Sequence, residues 1–181
     1  RKIPTAEAAC PDIKIKFNPF TETLKTLKIG RETHSVYLAC LAISWFWFLG
    51  GSYLTQLPNY TKVVLNGDQT IVTLLLALFS IGIAVGSLLC ERLSGHKIEL
   101  GLVPLGSIGL TVFGVDLFFA HSASETTIGF MQFITIPANI RVLVDFVMIG
   151  VSGGLYIVPL YAMVQERSDP KKRSRTIAAL N

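Results

Sequence analysis

The stretch that decides the fold is IVTLLLALFSIGIAVGSLLC, residues 71–90, followed by ERLSGHKIE, residues 91–99. The first part has twenty residues without a charge, which is the length of one helix across a bilayer. The second part is a compact turn whose titratable side chains are Glu91, Arg92, His96, Lys97 and Glu99. A new apolar run begins at Leu100, so the sequence predicts a transmembrane hairpin with a tight, charged connection.

The composition of the whole chain agrees with this prediction. Of the 181 residues, 51% are hydrophobic and 15% are charged, whereas soluble domains carry about 25% charged residues. The charges are gathered in short blocks between long uncharged runs. This pattern is typical of an all-α membrane protein and excludes a single water-soluble core.

Four runs are long enough to cross a membrane, and we expect spans at about 35–57, 71–91, 100–120 and 142–165. The first run is expected to end at Pro58. The uncharged segment IGFMQFITI, residues 128–136, is too short to cross and is expected at the membrane interface. The chain stops at TIAAL, as a further apolar run begins, which indicates a fragment of a longer membrane protein.

The orientation follows from the distribution of Lys and Arg. Fourteen of the sixteen lie in residues 1–34, in the 91–99 turn or in the basic block after residue 165, and the others are Lys62 and Arg141. The positive-inside rule therefore predicts that both chain ends and the 91–99 turn are cytoplasmic. We expect no nucleic-acid partner, because no aromatic and basic surface accompanies these charges.

Polar side chains recur at helical spacing along three of the runs. The sets that share a face are Trp45, Ser52 and Gln56 on the first run, Thr73, Ser80, Ser87 and Glu91 on the second, and Asp145, Ser152 and Tyr156 on the fourth. Polar groups avoid lipid, where an unpaired one is costly. These faces therefore turn toward other helices or toward a wet cavity, and the sequence leaves both open.

The candidates for a substrate cavity are Trp45, Ser52, Gln56, Asp145, Ser152 and Tyr156. Trp45 lies near the middle of its span and not at the headgroup level where Trp is common. The Tyr156 hydroxyl needs an acceptor, which a headgroup or a cavity water could supply. Asp145 has a simpler alternative, because Arg141 lies four residues earlier and the two can pair along one helix face.

Small residues lie on the opposite faces of two runs. Gly82 and Gly86 form a GxxxG motif on the second run, and Gly150 and Gly154 form one on the fourth. Small residues at this spacing let two helix backbones approach closely. The pattern predicts close helix packing and nothing more specific.

The charged turn resembles the signature between the second and third helices of each half of the major facilitator superfamily. Ser87 stands at the small position, Glu91 at the acid and Arg92 at the first base, with Ser94 at the Gly position and Lys97 as a displaced base. An acid at a helix end can bind a neighbouring helix N-terminus or an Arg. The resemblance therefore implies a breakable latch of Ser87, Glu91, Arg92 and Lys97, with a solvated turn that only sets topology as the alternative.

Longer stretches resemble the lysophospholipid transporter branch of that superfamily, in particular the transporter domain fused in some bacteria ahead of an acyltransferase and an acyl-carrier-protein synthetase. They are SWFWFLGGSYLTQLPNY at 44–60, VTLLLALFSIGIAVGSLLCERLSGHKIELGLVPLGSIGL at 72–110 and GLYIVPLYAMVQERSDP at 154–170. The resemblance implies that residues 34–181 carry helices seven to ten of a twelve-helix fold. Residues 1–33 are then the cytoplasmic connection between two halves. Helices seven and ten would line the cavity, and helix nine would lie outside.

The function that the resemblance implies is transport of lysophospholipid across the bacterial inner membrane by alternating access. Its expected partners are membrane lipid, the lysophospholipid substrate, the N-terminal half of the transporter and a possible fused acyltransferase domain. Two alternatives are a carrier for another small or amphipathic solute and a membrane anchor for fused enzymes.

No enzyme chemistry is expected from residues 1–181. The sequence contains no Ser/His/Asp grouping, no HxxxxD pair and no phosphate-binding Gly loop. Cys10, Cys40 and Cys90 form no CxxC pair, and the latter two fall within spans. We therefore expect no catalytic residue, no cofactor and no metal site.

Overall fold

The computed structural model of the chain describes residues 33–95, 97–120 and 127–168, together with residues 174, 176 and 177. The predicted connection at 1–33 lies outside the described residues except for Thr33. Most of the basic block after Ser168 also lies outside them.

The described chain is built from four long helices and one short helix. They are α1 (His34–Val63), α2 (Gln69–Ser94), α3 (Leu102–Phe119), α4 (Phe130–Phe133) and α5 (Pro137–Arg167). The four long helices are each apolar enough to cross a membrane. The predicted all-α architecture with four spans is therefore confirmed. The 64–68 connection and the start of α5 lie at one end of the bundle, the loop end, and the 95–101 turn lies at the other, the turn end.

Two helices, α1 and α5, differ most from their predicted bounds. Helix α1 continues past Pro58 to Val63, so the predicted end at Pro58 is wrong. A proline removes one backbone hydrogen bond, and membrane helices tolerate this loss. Helix α5 begins at Pro137, because proline suits the first helical turn, where its missing N–H would have no partner. It extends to Arg167, which brings a cation onto the helix.

Local signals define both ends of α2. At its start the Asp68 carboxylate accepts the backbone N–H of Thr70 at 2.9 Å and of Ile71 at 3.3 Å. The Thr70 hydroxyl, followed by these amides, holds the pKa of Asp68 below its ordinary value. At its end Gly95 adopts a left-handed conformation with φ 56°, which glycine accepts without steric cost. The residue that needs to be glycine is therefore Gly95, next to the Ser94 position that the family resemblance indicated.

Helix α5 is the central element, and it packs against each of the other long helices. Its contact with α2 is a backbone-to-backbone approach at the predicted glycine motifs. A Cβ atom added to Gly82 would lie 2.3 Å from the Val147 carbonyl oxygen, and one added to Gly150 would lie 2.4 Å from the Phe79 oxygen. The predicted close packing through GxxxG is confirmed, because no side chain fits between these backbones.

The 128–136 segment is anchored in the protein more firmly than an interfacial segment requires. The Ile128 N–H donates to the Asn66 carbonyl at 2.8 Å, and the Asp68 N–H donates to the Ile128 carbonyl at 3.2 Å. Ile128 and Phe133 are buried in the apolar core at the loop end, whereas Met131 is exposed. Only the outer side of this segment is therefore free to meet the membrane interface.

Candidate transport groove

A groove separates α1 from α3, and α5 contributes to each of its three cavities. The cavities follow one another from the turn end to the loop end, with volumes of about 390, 370 and 240 Å³. We call this series the interhelical groove. The residues that line it recur at helical spacing along α1 and α3, so the groove runs along the length of both helices.

The middle cavity has aromatic and aliphatic walls. It is lined by Trp45, Phe46, Leu49, Tyr53, Ser107, Leu110, Thr111, Gly114, Val115 and Tyr156. None of these ten side chains is charged, and their polar groups are hydroxyls and the Trp45 indole N–H. Such a lining suits the apolar part of a ligand and offers a few positions for hydrogen bonds.

Tyr156 connects the floor of the groove to its α1 wall. Its hydroxyl donates to the Ala42 carbonyl at 3.3 Å. Its ring stacks on Phe46, with the centroids 5.7 Å apart and the planes 19° from parallel. The acceptor predicted to be a headgroup or a water is therefore, in this structure, a backbone carbonyl of α1. The Trp45 side chain lies at the mouth of the same cavity and is 61% exposed.

The groove narrows toward the loop end. Tyr53 and Gly114 line both the middle cavity and the third one, and a Cβ atom on Gly114 would lie 2.5 Å from the Tyr53 hydroxyl. Gln56 lies beyond this narrow point and contributes its side-chain amide to the lining of the third cavity. The Tyr60 hydroxyl then reaches across to the Leu117 carbonyl at 3.2 Å. The loop end of the groove is thus bridged by a hydrogen bond.

The turn end of the groove combines apolar walls with a cation. Leu38, Val103 and Leu160 are among its apolar lining, and Arg167 lies at the rim. One guanidinium nitrogen of Arg167 donates to the Ser35 hydroxyl at 3.2 Å. A fourth span ending at residue 165 left Arg167 out of the predicted membrane helices, so sequence reasoning missed this group.

The structure separates the six predicted cavity residues into three groups. Trp45, Gln56 and Tyr156 line the interhelical groove. Ser52 is exposed, and its hydroxyl donates to the Phe48 carbonyl of the preceding turn at 2.8 Å. Asp145 and Ser152 are buried at 2% and 4% exposure. Ser152 lies against Gly109 of α3 and so belongs to a helix contact.

Sequence reasoning also missed the contribution of the third span. The family resemblance implied an outer position for it, yet α3 forms one wall of the groove with Ser107, Thr111 and Gly114. These residues are spaced by four and three positions, which places them on one helix face. This stripe of small and polar residues was the signal that could have identified the wall.

The predicted pairing of Arg141 with Asp145 is wrong. The Arg141 Nε–H donates to Asp116 of α3 at 2.7 Å, and a second guanidinium nitrogen contacts the other carboxylate oxygen. Arg141 is 53% exposed along its side chain, whereas Asp145 faces the interior. Arg141 therefore pairs across the α3–α5 contact and not along its own helix.

The four predicted latch residues lie at the turn end of α2. Ser87 is half-buried, and a Cβ atom on Gly154 of α5 would lie 2.7 Å from its backbone nitrogen. Glu91, Arg92 and Lys97 are exposed. Ser87 thus lies in the α2–α5 contact while the charges extend outward, and the latch itself stays a prediction.

Comparison with known proteins gives one match. A sequence model of a family described as the Major Facilitator Superfamily matches residues 3–181, nearly the whole chain. Neither the comparison with curated proteins nor the comparison with solved structures finds a match.

Proposed function

We propose that this chain, which belongs to the Major Facilitator Superfamily and is a transporter of that type, moves a lysophospholipid across the membrane by alternating access. The observation that carries the proposal is the amphipathic lining of the interhelical groove. A cation lies at one end, at Arg167, and an uncharged aromatic cavity follows it.

This arrangement matches the two parts of a lysophospholipid. Its phosphate needs a charged donor, and a guanidinium is well suited to phosphate oxygens. Arg167 and the Ser35 hydroxyl supply donors at the rim. Its single acyl chain needs an apolar path, because each buried methylene contributes about 0.8 kcal/mol. The walls beside Trp45 and Tyr156 offer that path.

The proposal also covers the orientation of the chain in the membrane, the charged turn and the partners of the chain. We place the turn end on the cytoplasmic side of a bacterial inner membrane, where the clustered Lys and Arg residues belong. The Glu91 and Arg92 pair then acts as a latch on that side. Another six-helix half and a fused acyltransferase domain are the proposed partners of this chain.

The test is transport by the full-length protein in liposomes, using a lysophospholipid with a labelled acyl chain. Arg167→Gln removes the cation, and we expect about a tenfold lower rate, the equivalent of about 1.4 kcal/mol. Arg167→Lys keeps the charge but loses the planar fork, so it retains part of the rate. Lys62→Gln is the matched control, since it removes an exposed cation at the loop end.

Three outcomes separate the alternatives. Transport of a water-soluble solute without transport of the lysophospholipid would identify a carrier of another kind. An equal rate for Arg167→Gln and Lys62→Gln would remove the groove from the substrate path. Absence of transport by the membrane domain after removal of any fused enzyme would favour the membrane anchor.

A further inference from the structure

The segment that leads into α5 presents an exposed apolar side at the loop end. Helix α4 lies within this segment, and its Phe130 and Met131 are 42% and 74% exposed. Residues 128–136 carry no charge. Adjacent exposed apolar side chains in an uncharged segment indicate a surface that contacts an apolar phase or partner.

The opposite side of this segment is fixed to the protein. Phe133 is fully buried, and its N–H donates to the Gly129 carbonyl at 2.9 Å. Ile128 makes two backbone hydrogen bonds with the 64–68 connection, at 2.8 Å to Asn66 and at 3.2 Å to Asp68. Because the inward positions are occupied by Ile128 and Phe133, the segment cannot turn its exposed apolar side into the core.

The depth of the segment follows from the length of α2. The uncharged stretch at residues 71–90 is about 30 Å long at 1.5 Å per residue, which equals the thickness of the hydrocarbon core. Asp68 therefore lies about 4.5 Å beyond the edge of that core, in the headgroup region. Since Ile128 is hydrogen-bonded to Asp68, α4 begins at the same level. Side chains at this level reach the boundary between headgroups and acyl chains.

The ends of the neighbouring spans are exposed and apolar at the same end of the bundle. Helix α3 ends with Phe118 and Phe119, whose exposed rings pack edge to face with their centroids 5.2 Å apart. On α5, Ile140 and Val144 are exposed at a spacing of four residues. Both helices are apolar enough to cross a membrane. The exposed side of α4 thus continues the apolar surface of the spans to the loop end.

We infer that α4 is an interfacial lipid anchor, whose Phe130 and Met131 side chains enter the lipid leaflet at the loop end. Lipid is the partner because two side chains supply only a small part of the about 800 Å² per partner that a specific protein interface buries. The Ile128 hydrogen bonds transmit this position to the start of α2, and Pro137 begins α5 directly after the segment. The anchor therefore sets the depth of the α2–α5 pair. The inference holds for either orientation and for any substrate.

The first test measures which phase surrounds α4. A nitroxide is attached at Met131→Cys or at the exposed control position Glu166→Cys, in the full-length protein without its natural cysteines and in lipid bilayers. Collisions with oxygen, which concentrates in hydrocarbon, are compared with collisions with a water-soluble nickel complex, and spin-labelled lipids calibrate the depth. We expect the oxygen-to-nickel ratio to be severalfold higher at position 131 than at position 166, at a depth near the acyl-chain boundary.

Two results of this measurement would overturn the inference. Equal ratios at positions 131 and 166 would place α4 in water. Shielding of position 131 from both reagents would place a protein surface there, either a second copy or another part of the same chain.

The second test measures the anchoring. Met131→Glu places a charge on the apolar side of α4, and the control Gln132→Glu places the same charge at the neighbouring exposed polar position. A charge is costly where lipid replaces water, so Met131→Glu should draw α4 outward against the Ile128 hydrogen bonds. We expect severalfold faster hydrogen exchange at the Ile128 amide in lipid nanodiscs, with near-wild-type exchange in Gln132→Glu. Wild-type exchange in Met131→Glu, or equal acceleration in both variants, would contradict the inference.

Discussion

Tyr156 and Trp45 have different roles in the middle cavity. The Tyr156 hydroxyl is engaged by the Ala42 carbonyl and its ring by Phe46, so this side chain holds the α1 wall against the floor. Trp45 has a largely exposed ring at the mouth of the cavity and is free to meet a ligand. The Tyr156 hydroxyl already has its hydrogen-bond acceptor, whereas the exposed Trp45 ring offers apolar surface for contact with a ligand.

Because the two side chains have different roles, we expect their substitution to affect transport unequally. Tyr156→Phe keeps the stacked ring and removes only the neutral hydrogen bond to the Ala42 carbonyl, so we expect the free energy of unfolding to fall by about 1 kcal/mol at most, with little change in transport. Trp45→Ala removes an entire apolar surface and should impair transport of labelled lysophospholipid more strongly. Trp47→Ala is the control, because this ring lies on the same helix but does not line the middle cavity. Full transport by Trp45→Ala at normal abundance would place the substrate elsewhere.

Asp68 gives a local pH dependence at the start of α2. Its pKa is lowered in the folded chain, first by the Thr70 hydroxyl. The stabilisation is therefore complete above the ordinary Asp pKa, and it is lost as the pH falls through the lowered value. We expect hydrogen-exchange protection factors at Thr70 and Ile71 to fall in acid. Asp68→Asn keeps a capping acceptor that does not titrate, so its protection should be nearly independent of pH; a wild-type profile that is equally flat would be inconsistent with this assignment.

Helices α2 and α5 pack closely because only glycines lie where the two helices cross. Gly82, Gly86, Gly150 and Gly154 all lie where the nearest backbone atom of the other helix would be only 2.1–2.7 Å from an added Cβ. Backbone cannot move aside as the end of a flexible side chain can. The close approach therefore depends on glycine at each position.

Substitution of these glycines should separate the helices. We expect Gly82→Ala or Gly86→Ala to reduce the free energy of unfolding by about 1–3 kcal/mol, the usual range for overpacking. The matched controls are Gly50→Ala and Gly51→Ala on α1, where an added Cβ has no neighbour within 4 Å. Thermal unfolding in detergent and protein abundance in the membrane are the measurements. A loss of stability in the controls equal to that in the α2 variants would show that the effect is not one of packing.

The next prediction concerns the charged turn between α2 and α3 and the balance between the inward-open and outward-open states. Its backbone closes through Gly95, and Glu91 and Arg92 extend from the last turn of α2. Glu91→Gln removes the negative charge of the proposed latch without altering the helix cap. We expect it to shift the ratio of inward-open to outward-open states, measured by labelling accessibility from each side, with insertion unchanged. Identical accessibility in wild type and variant would mean that the turn only sets topology.

The arrangement of the helices predicts which residues face each side of the membrane. A single cysteine at the exposed Gln69 should react with an impermeant reagent only from the periplasm, and one at the exposed Glu166 only from the cytoplasm. Ser168 is a poorer probe because it is buried. Equal reactivity of the Gln69 and Glu166 positions from the periplasm would contradict the orientation.

Features that depend on one stretch of chain were predictable from the sequence. The four spans follow from uncharged length, and close packing at Gly82 and Gly150 follows from the absence of a side chain. The hairpin turn follows from its block of charges. These properties are set by covalent order and helical spacing, which are known before any helix meets another.

The partners of each helix face were decided only by the tertiary structure. Arg141 has a carboxylate at helical spacing on its own helix, Asp145, yet it pairs with Asp116 because the packing of α3 against α5 brings that carboxylate close. The polar face of α5 divides between a buried contact at Ser152 and the groove at Tyr156. Ser107 and Thr111 became part of a groove wall because α1 lies opposite them. Helical spacing defines which residues share a face, but the packing of the other helices determines what that face meets.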